Sequence, residues 1–192
     1  MNTLDLMRHR RSIRRYQDKQ VPREVLELVL EAGSYAPNAG GGQRTILCGV
    51  QNRELLAELG RQNAACMNRR TLAGSYVSAE QPSLIDDPGI QSGFYGAPTV
   101  CVVFAPNHFL YSVPDAFCCA ENMALAAAEL GLASCMVARA EETFNTPLGR
   151  RLMREWEIPE DYTARCFLLL GYCRGAYPAP KPRRAERIKI ID

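Results

Sequence analysis

Five arginines and a histidine fill the eight residues from Arg8 to Arg15 in "RHRRSIRRY", within a chain whose formal net charge is only +2. Guanidinium forks pair bidentately with phosphate and carboxylate oxygens, so a small, concentrated cationic site suits a compact dianion such as a phosphate monoester. The same cluster also describes a solvated helix end with scattered salt bridges. Nucleic acid is disfavoured, because its binders present an extended basic face interleaved with stacking aromatics, and the remainder of this chain is close to neutral. No Ser-His-Asp set or paired carboxylates are evident, so no side chain is nominated as nucleophile or general base.

The eight cysteines are the other residues with chemistry to offer. Cys48, Cys101, Cys118, Cys119, Cys135, Cys166 and Cys173 lie in or beside apolar segments, where a reduced thiol acts as a small hydrophobe. None forms CxxC, the one close pair is Cys118-Cys119, and the two histidines stand apart, so no metal site is expected. Reduced core thiols in a cytoplasmic protein are the simpler reading. Cys66 sits in a polar stretch and is the one candidate for a reactive thiol.

These groups need a scaffold. With 192 residues, 47% apolar and 23% charged, the chain suits one domain spanning 1–192 with a sizeable core. No apolar run is long enough to cross a bilayer, and the N-terminus lacks a secretory signal's apolar stretch, so a cytoplasmic protein that engages no membrane is expected. "VPREVLELVLEAG" predicts a helix with Pro22 at its first position, Val25, Leu28, Val29 and Ala32 on one face, and Gly33 as its stop. It runs into "SYAPNAGGGQ", whose Pro37 and Gly40 to Gly42 form either a surface turn or a backbone able to approach a flat ligand closely.

"TILCGV" and "TVCVVFA" read as buried strands. Between them come a helix begun by Asn52 and a long polar stretch; the region at about 61–96 is expected to be a lid or binding loop, or else disordered. Asp115 is the expected N-cap of a central helix, "AFCCAENMALAAAELG", closed by Gly131. "LASCMV" and "RCFLLLGY" are further strands, separated by a helix starting near Thr146-Pro147. The arm at about 174–192, rich in proline and cations, has no core of its own and is either disordered or laid across another surface, for example as a strand on a partner's sheet edge.

The order of these pieces resembles the FMN-dependent nitroreductase family across essentially the whole chain: an arginine-serine-arginine opening, "APNAGGGQ", "GAPTVCVVF", the Asp-led helix ending "AAAELGLASCMV", then "LLLGY" and a basic tail. The resemblance implies an α+β fold, with a mainly antiparallel central sheet flanked by helices, in an intertwined homodimer with a C-terminal extension. Phosphate and ribityl contacts carry over to Arg10, Ser12 and Arg14, alternate residues facing one way in an extended segment, and to Lys181 and Arg183. Arg11 matches the family's basic residue there, facing either the site or elsewhere. The "PNAGG" turn, Pro37, Asn38, Ala39, Gly40 and Gly41, corresponds to the segment that reaches the flavin from the other subunit. Asn63 is the candidate beside the flavin pyrimidine edge, with Asn68 its competitor. Met136, Val137, Ala138 and Arg139 match the stretch lying against the isoalloxazine, where a backbone N–H can point at flavin N5.

The implied activity is hydride transfer from NADH or NADPH to FMN and onward reduction of a small acceptor such as a nitroaromatic or quinone, with the cofactor supplying the reactivity. Dehalogenation, azoline-type oxidation, flavin fragmentation and non-catalytic flavin binding are the alternatives on this fold. Relatives commonly carry polar side chains in the turn and a Pro-aromatic pair after the glutamine. Here Gly40, Gly41 and Gly42 precede Gln43, and Arg44-Thr45 follow it.

Overall fold

The computed structural model describes residues 2–67 and 79–191. Four strands, β1 (Ile46–Val50), β2 (Thr99–Pro106), β3 (Ala133–Val137) and β4 (Tyr162–Gly171), form one sheet in the order β1-β2-β4-β3, with every neighbouring pair antiparallel. Among the described residues the chain order interleaves six α-helices with them: α1 (Thr3–His9), α2 (Arg23–Ser34), α3 (Arg53–Ala65), α4 (Ser112–Glu129), α5 (Ala140–Phe144) and α6 (Pro147–Glu155). This is the α+β arrangement expected from the sequence.

β2, β3 and β4 read as continuous apolar runs because helices cover both faces of the sheet, whereas β1, at its edge and expected to be buried, is mostly half-buried. Val100, Val102 and Phe104 of β2 pack into a core with Leu59 of α3, Phe144 of α5 and Leu152 of α6. Cys101 and Val103, the alternate residues, meet Val29 of α2 and Met123 of α4 on the other side. A β-bulge on β4 changes its phase between these two cores. Val103 pairs with Cys166 and Phe104 with Ala164, leaving Arg165 over. That residue turns its guanidinium to Ser112 Oγ (2.7 Å), Glu141 Oε2 (2.8 Å) and the carbonyls of Pro106 and Asn107, so the bulge ties α4 and α5 to the end of β2.

Several local expectations change, and Pro22 precedes α2 as its N-cap residue instead of opening it. In α2 the buried positions are Leu26, Val29 and Gly33, whereas Leu28 is 49% exposed. Gly33 does not stop this helix; it lies inside it because Met123 Cγ, 2.7 Å from where a Cβ would sit, fills that space. Asp115 is not an N-cap, since α4 begins at Ser112 and Pro114 fits its first turn, where N–H groups have no intrahelical acceptor. Gly131 does close α4, with φ +74°.

The helix expected near Thr146-Pro147 is α6, and Thr146 caps it, its hydroxyl accepting the Gly149 N–H (3.2 Å). A Cβ on Gly149 would collide with the Cα, C and O of Phe144, backbone atoms that cannot swing aside. Alanine for glycine inside a helix ordinarily stabilises by about 1 kcal/mol. Gly149→Ala should reverse that sign and cost about 1–3 kcal/mol through overpacking, read as a lower urea midpoint.

All eight cysteines are free thiols. Burial pushes Cys48 up to about 11 and Cys166 up to about 12, so these are inert packing groups. Cys66 is also raised, by burial and then by Glu142, against a smaller opposing pull from Arg139, so it is not an activated thiolate.

Candidate functional site

The arginine segment is extended and clamped at both ends. Ile13 is fully buried, its N–H donates to the Ser134 carbonyl (2.9 Å), and Ser12 bridges to Ser134 in parallel. Further along, Gln17 N–H donates to the Tyr172 carbonyl (2.9 Å) and Arg174 N–H to the Arg15 carbonyl (3.0 Å). Burying Ile13 and Tyr16 against the sheet leaves the intervening polar side chains facing outward.

Arg10, Arg11, Ser12 and Arg14 line a cavity of ≈ 450 Å³, and its other wall includes Lys181 and Arg183 from the far end of the chain. The cationic stretches matched from sequence therefore meet within one chain. Arg11, whose orientation the sequence left open, lines the cavity with the others. Of these lining residues, Glu80 is the single carboxylate.

The charges are incompletely compensated. Arg10 Nη2 lies 3.5 Å from Glu121 Oε1, but its Nε is buried and unpartnered, as are Nε and Nη2 of Arg11. Burial lowers the Arg11 guanidinium from its ordinary value, Tyr177 opposes that shift, and Arg183 and Arg10 add to it. Buried guanidinium N–H groups without acceptors are costly, and the oxygens of an oxyanion are acceptors of the kind that satisfies them.

Segment 79–96 supports the same wall. Gln81, which the sequence did not single out, is buried and accepts the Arg14 main-chain N–H on its side-chain oxygen (2.6 Å), while its carbonyl accepts Arg14 Nη1 (3.1 Å). The Arg14 guanidinium carbon also lies 5.9 Å from the centre of the Tyr95 ring. Of the stretch expected to form a lid, 61–65 completes α3, whereas 68–78 lies outside the described residues and with it Asn68.

Asn63 and 136–139 belong together but not to the arginine cavity. Asn63 is 0% exposed, and its amide donates to the Ala138 carbonyl (2.9 Å) and Thr143 Oγ1 (3.1 Å). Arg139 answers by donating through Nη2 to Asn63 Oδ1 (3.0 Å) and through Nε to the Asn63 carbonyl (3.2 Å). This exchange holds Arg139 at φ +64°, a left-handed conformation costly for a residue with a Cβ. Both ends of the Asn63 amide are engaged inside the chain, so it acts as the brace of the turn after β3. Within that stretch Met136 packs against the α2 and α4 core, Val137 is buried on the other side, and Ala138 is exposed.

The turn at 37–41 lies elsewhere again, near the start of α4. Ala39 N–H donates to both oxygens of Asp115 (3.1 and 3.2 Å), and Asn38 Oδ1 accepts the Gln43 N–H (2.8 Å). Gly40 and Gly41 have φ of +60° and +62° with nothing within 4 Å of an added Cβ, and Pro37 is exposed. Asp115 thus caps this turn and not its own helix. The turn is absent from the lining of the arginine cavity.

The profile described as "Nitroreductase family" matches residues 7–172. A solved nitroreductase with bound FMN from Bacteroides fragilis is 29% identical, with 100% of both chains covered and a TM-score of 0.81. Another with bound FMN, from Desulfitobacterium hafniense, is 25% identical, with the same coverage and TM-score. A protein from Methanothermobacter thermautotrophicus that carries NADH dehydrogenase/NAD(P)H nitroreductase in its name is 37% identical over 59 residues, a match spanning 31% of each chain.

Proposed function

The chain belongs to the nitroreductase family and is an oxidoreductase; on that premise we propose that it holds FMN by its phosphate in the arginine cavity and moves electrons from NADH or NADPH to a small acceptor such as a nitroaromatic or quinone. The observation that carries this reading is the set of buried, unpartnered guanidinium nitrogens on Arg10 and Arg11, in a cavity shared with Arg14, Lys181 and Arg183. A phosphate monoester carries enough charge and enough acceptor oxygens to satisfy them.

Bound FMN supplies the hydride and electron chemistry, for which no protein nucleophile is needed. What this chain supplies is binding and orientation. The cations neutralise the phosphate, Ser12 offers a hydroxyl beside them, and Asn63 with Arg139 fixes the backbone at 136–139 as one wall for the ring. The turn at Pro37, Asn38, Ala39, Gly40 and Gly41 stands apart from the cavity, so it joins the site from a second copy of the chain. Such a homodimer would cover the apolar side chains now exposed on α1 and α4, Leu4, Met7, Val113 and Phe117. It would also cover the arm's Ile188, Ile190 and Ile191. No helix among the described residues is long and apolar enough to cross a membrane. The proposal of a cytoplasmic protein rests instead on the eight free thiols.

The purified protein is expected to be yellow, with flavin released on denaturation. Anaerobic NADH or NADPH should bleach the flavin band, and a quinone should restore it over repeated cycles. A colourless protein that takes up no FMN on reconstitution would overturn the reading, and a monomer on sedimentation would overturn the shared site.

A further inference from the structure

The arginine segment and the C-terminal arm are anchored very unequally. Main-chain hydrogen bonds to Ser134, Tyr172 and Arg174 hold the arginine segment. Beyond Arg174 no main-chain hydrogen bond joins the arm to the main chain of the body among the described residues. Yet Lys181 and Arg183, seven and nine residues further on, reach the cavity opposite Arg10 and Arg11. A docked residue between Arg174 and Lys181 can aim them.

Tyr177 occupies that position. Its hydroxyl accepts the Arg11 main-chain N–H (3.0 Å), its ring stacks on His9 with centroids 4.8 Å apart and planes 2° from parallel, and it packs on the core containing Ile13 and Phe167. Pro178, Pro180 and Pro182 follow, restricting the backbone that leads to the cations, so an error in aim at Tyr177 is carried forward and not absorbed. We propose that Tyr177 is a positioning residue: it latches the arm to the arginine segment and thereby delivers Lys181 and Arg183 to the anion. The latch rests on reading the cavity as the phosphate site; the docking of the arm does not.

Two measurements separate these. In FMN titrations of the apoprotein, Tyr177→Ala should raise the dissociation constant about tenfold in the natural background. In a Lys181→Ala/Arg183→Ala background it should change that constant by less than about twofold, because a latch has no effect once its cargo is neutral. Tyr177→Phe, which keeps the stack on His9 but removes the acceptor for Arg11, should fall between the wild type and the alanine variant. Equal fold-changes in both backgrounds, or none in either, would overturn the latch. Without flavin, trypsin cleavage after Arg183 or Arg184 in the apoprotein should be several-fold faster in Tyr177→Ala. Unchanged cleavage would overturn the docked arm even if FMN proved to be the wrong ligand, whereas a wild type that fails to bind FMN but shows the accelerated cleavage would overturn the phosphate reading alone.

Discussion

Replacing Lys181 and Arg183 together with alanine is expected to weaken FMN binding by about 100-fold or more, on the basis of roughly 1.5–3 kcal/mol for each charge-assisted hydrogen bond lost. Both residues are exposed and lie outside the two cores, so the melting temperature of the apoprotein should be unchanged within error. Separating the two quantities is the point of the experiment. A cation that merely decorates the surface would alter neither, and one that supports the fold would alter the melt first. Flavin retention in the wild type should also fall as salt rises, and that salt dependence should be shallower in the double variant. Unchanged retention in that variant would remove the arm from the site and leave the phosphate to the N-terminal arginines alone.

Asn63→Ala should produce the largest loss of stability, about 3 kcal/mol, read as a lower urea midpoint with an unchanged slope. The loss is not that of one hydrogen bond. Without the amide, the Ala138 carbonyl loses its 2.9 Å donor and the Arg139 guanidinium loses its 3.0 Å acceptor, both beside a residue held at φ +64°. That left-handed conformation persists only while its surroundings over-determine it. Relaxation at Arg139 would move the backbone proposed to wall the flavin ring, so FMN retention should fall with stability. Gly93→Ala offers an independent probe, because a Cβ there would overlap the Asn63 amide oxygen, and it should lower the midpoint in the same direction. An Asn63→Ala protein of wild-type stability would show that the brace is dispensable.

The sequence by itself determined the four strands, the helices α2, α3, α4 and α6, and their order, whereas the short helices α1 and α5 carried no signal that was read. Apolar runs such as "TVCVVFA" required strands covered on both faces, Thr146-Pro147 marked the start of α6, and Gly131 closed α4, because these signals act over a few residues and are written in them. The concentration of charge at Arg10 to Arg14 and at Lys181 and Arg183 was equally legible. Which of those groups meet was a tertiary decision. Arg14 takes its acceptor from Gln81, 67 positions away, and Arg11 finds Tyr177 across 166, distances along the chain that no local pattern encodes. The same holds for Asn63, whose residue type fitted a ligand contact but whose amide is engaged by Ala138, Thr143 and Arg139, and for Asp115, whose carboxylate caps a turn from another element instead of its own helix. A side chain's type fixes what it can bond to. The path of the backbone, set by burying both faces of one sheet, fixes which partner is within reach when water is excluded.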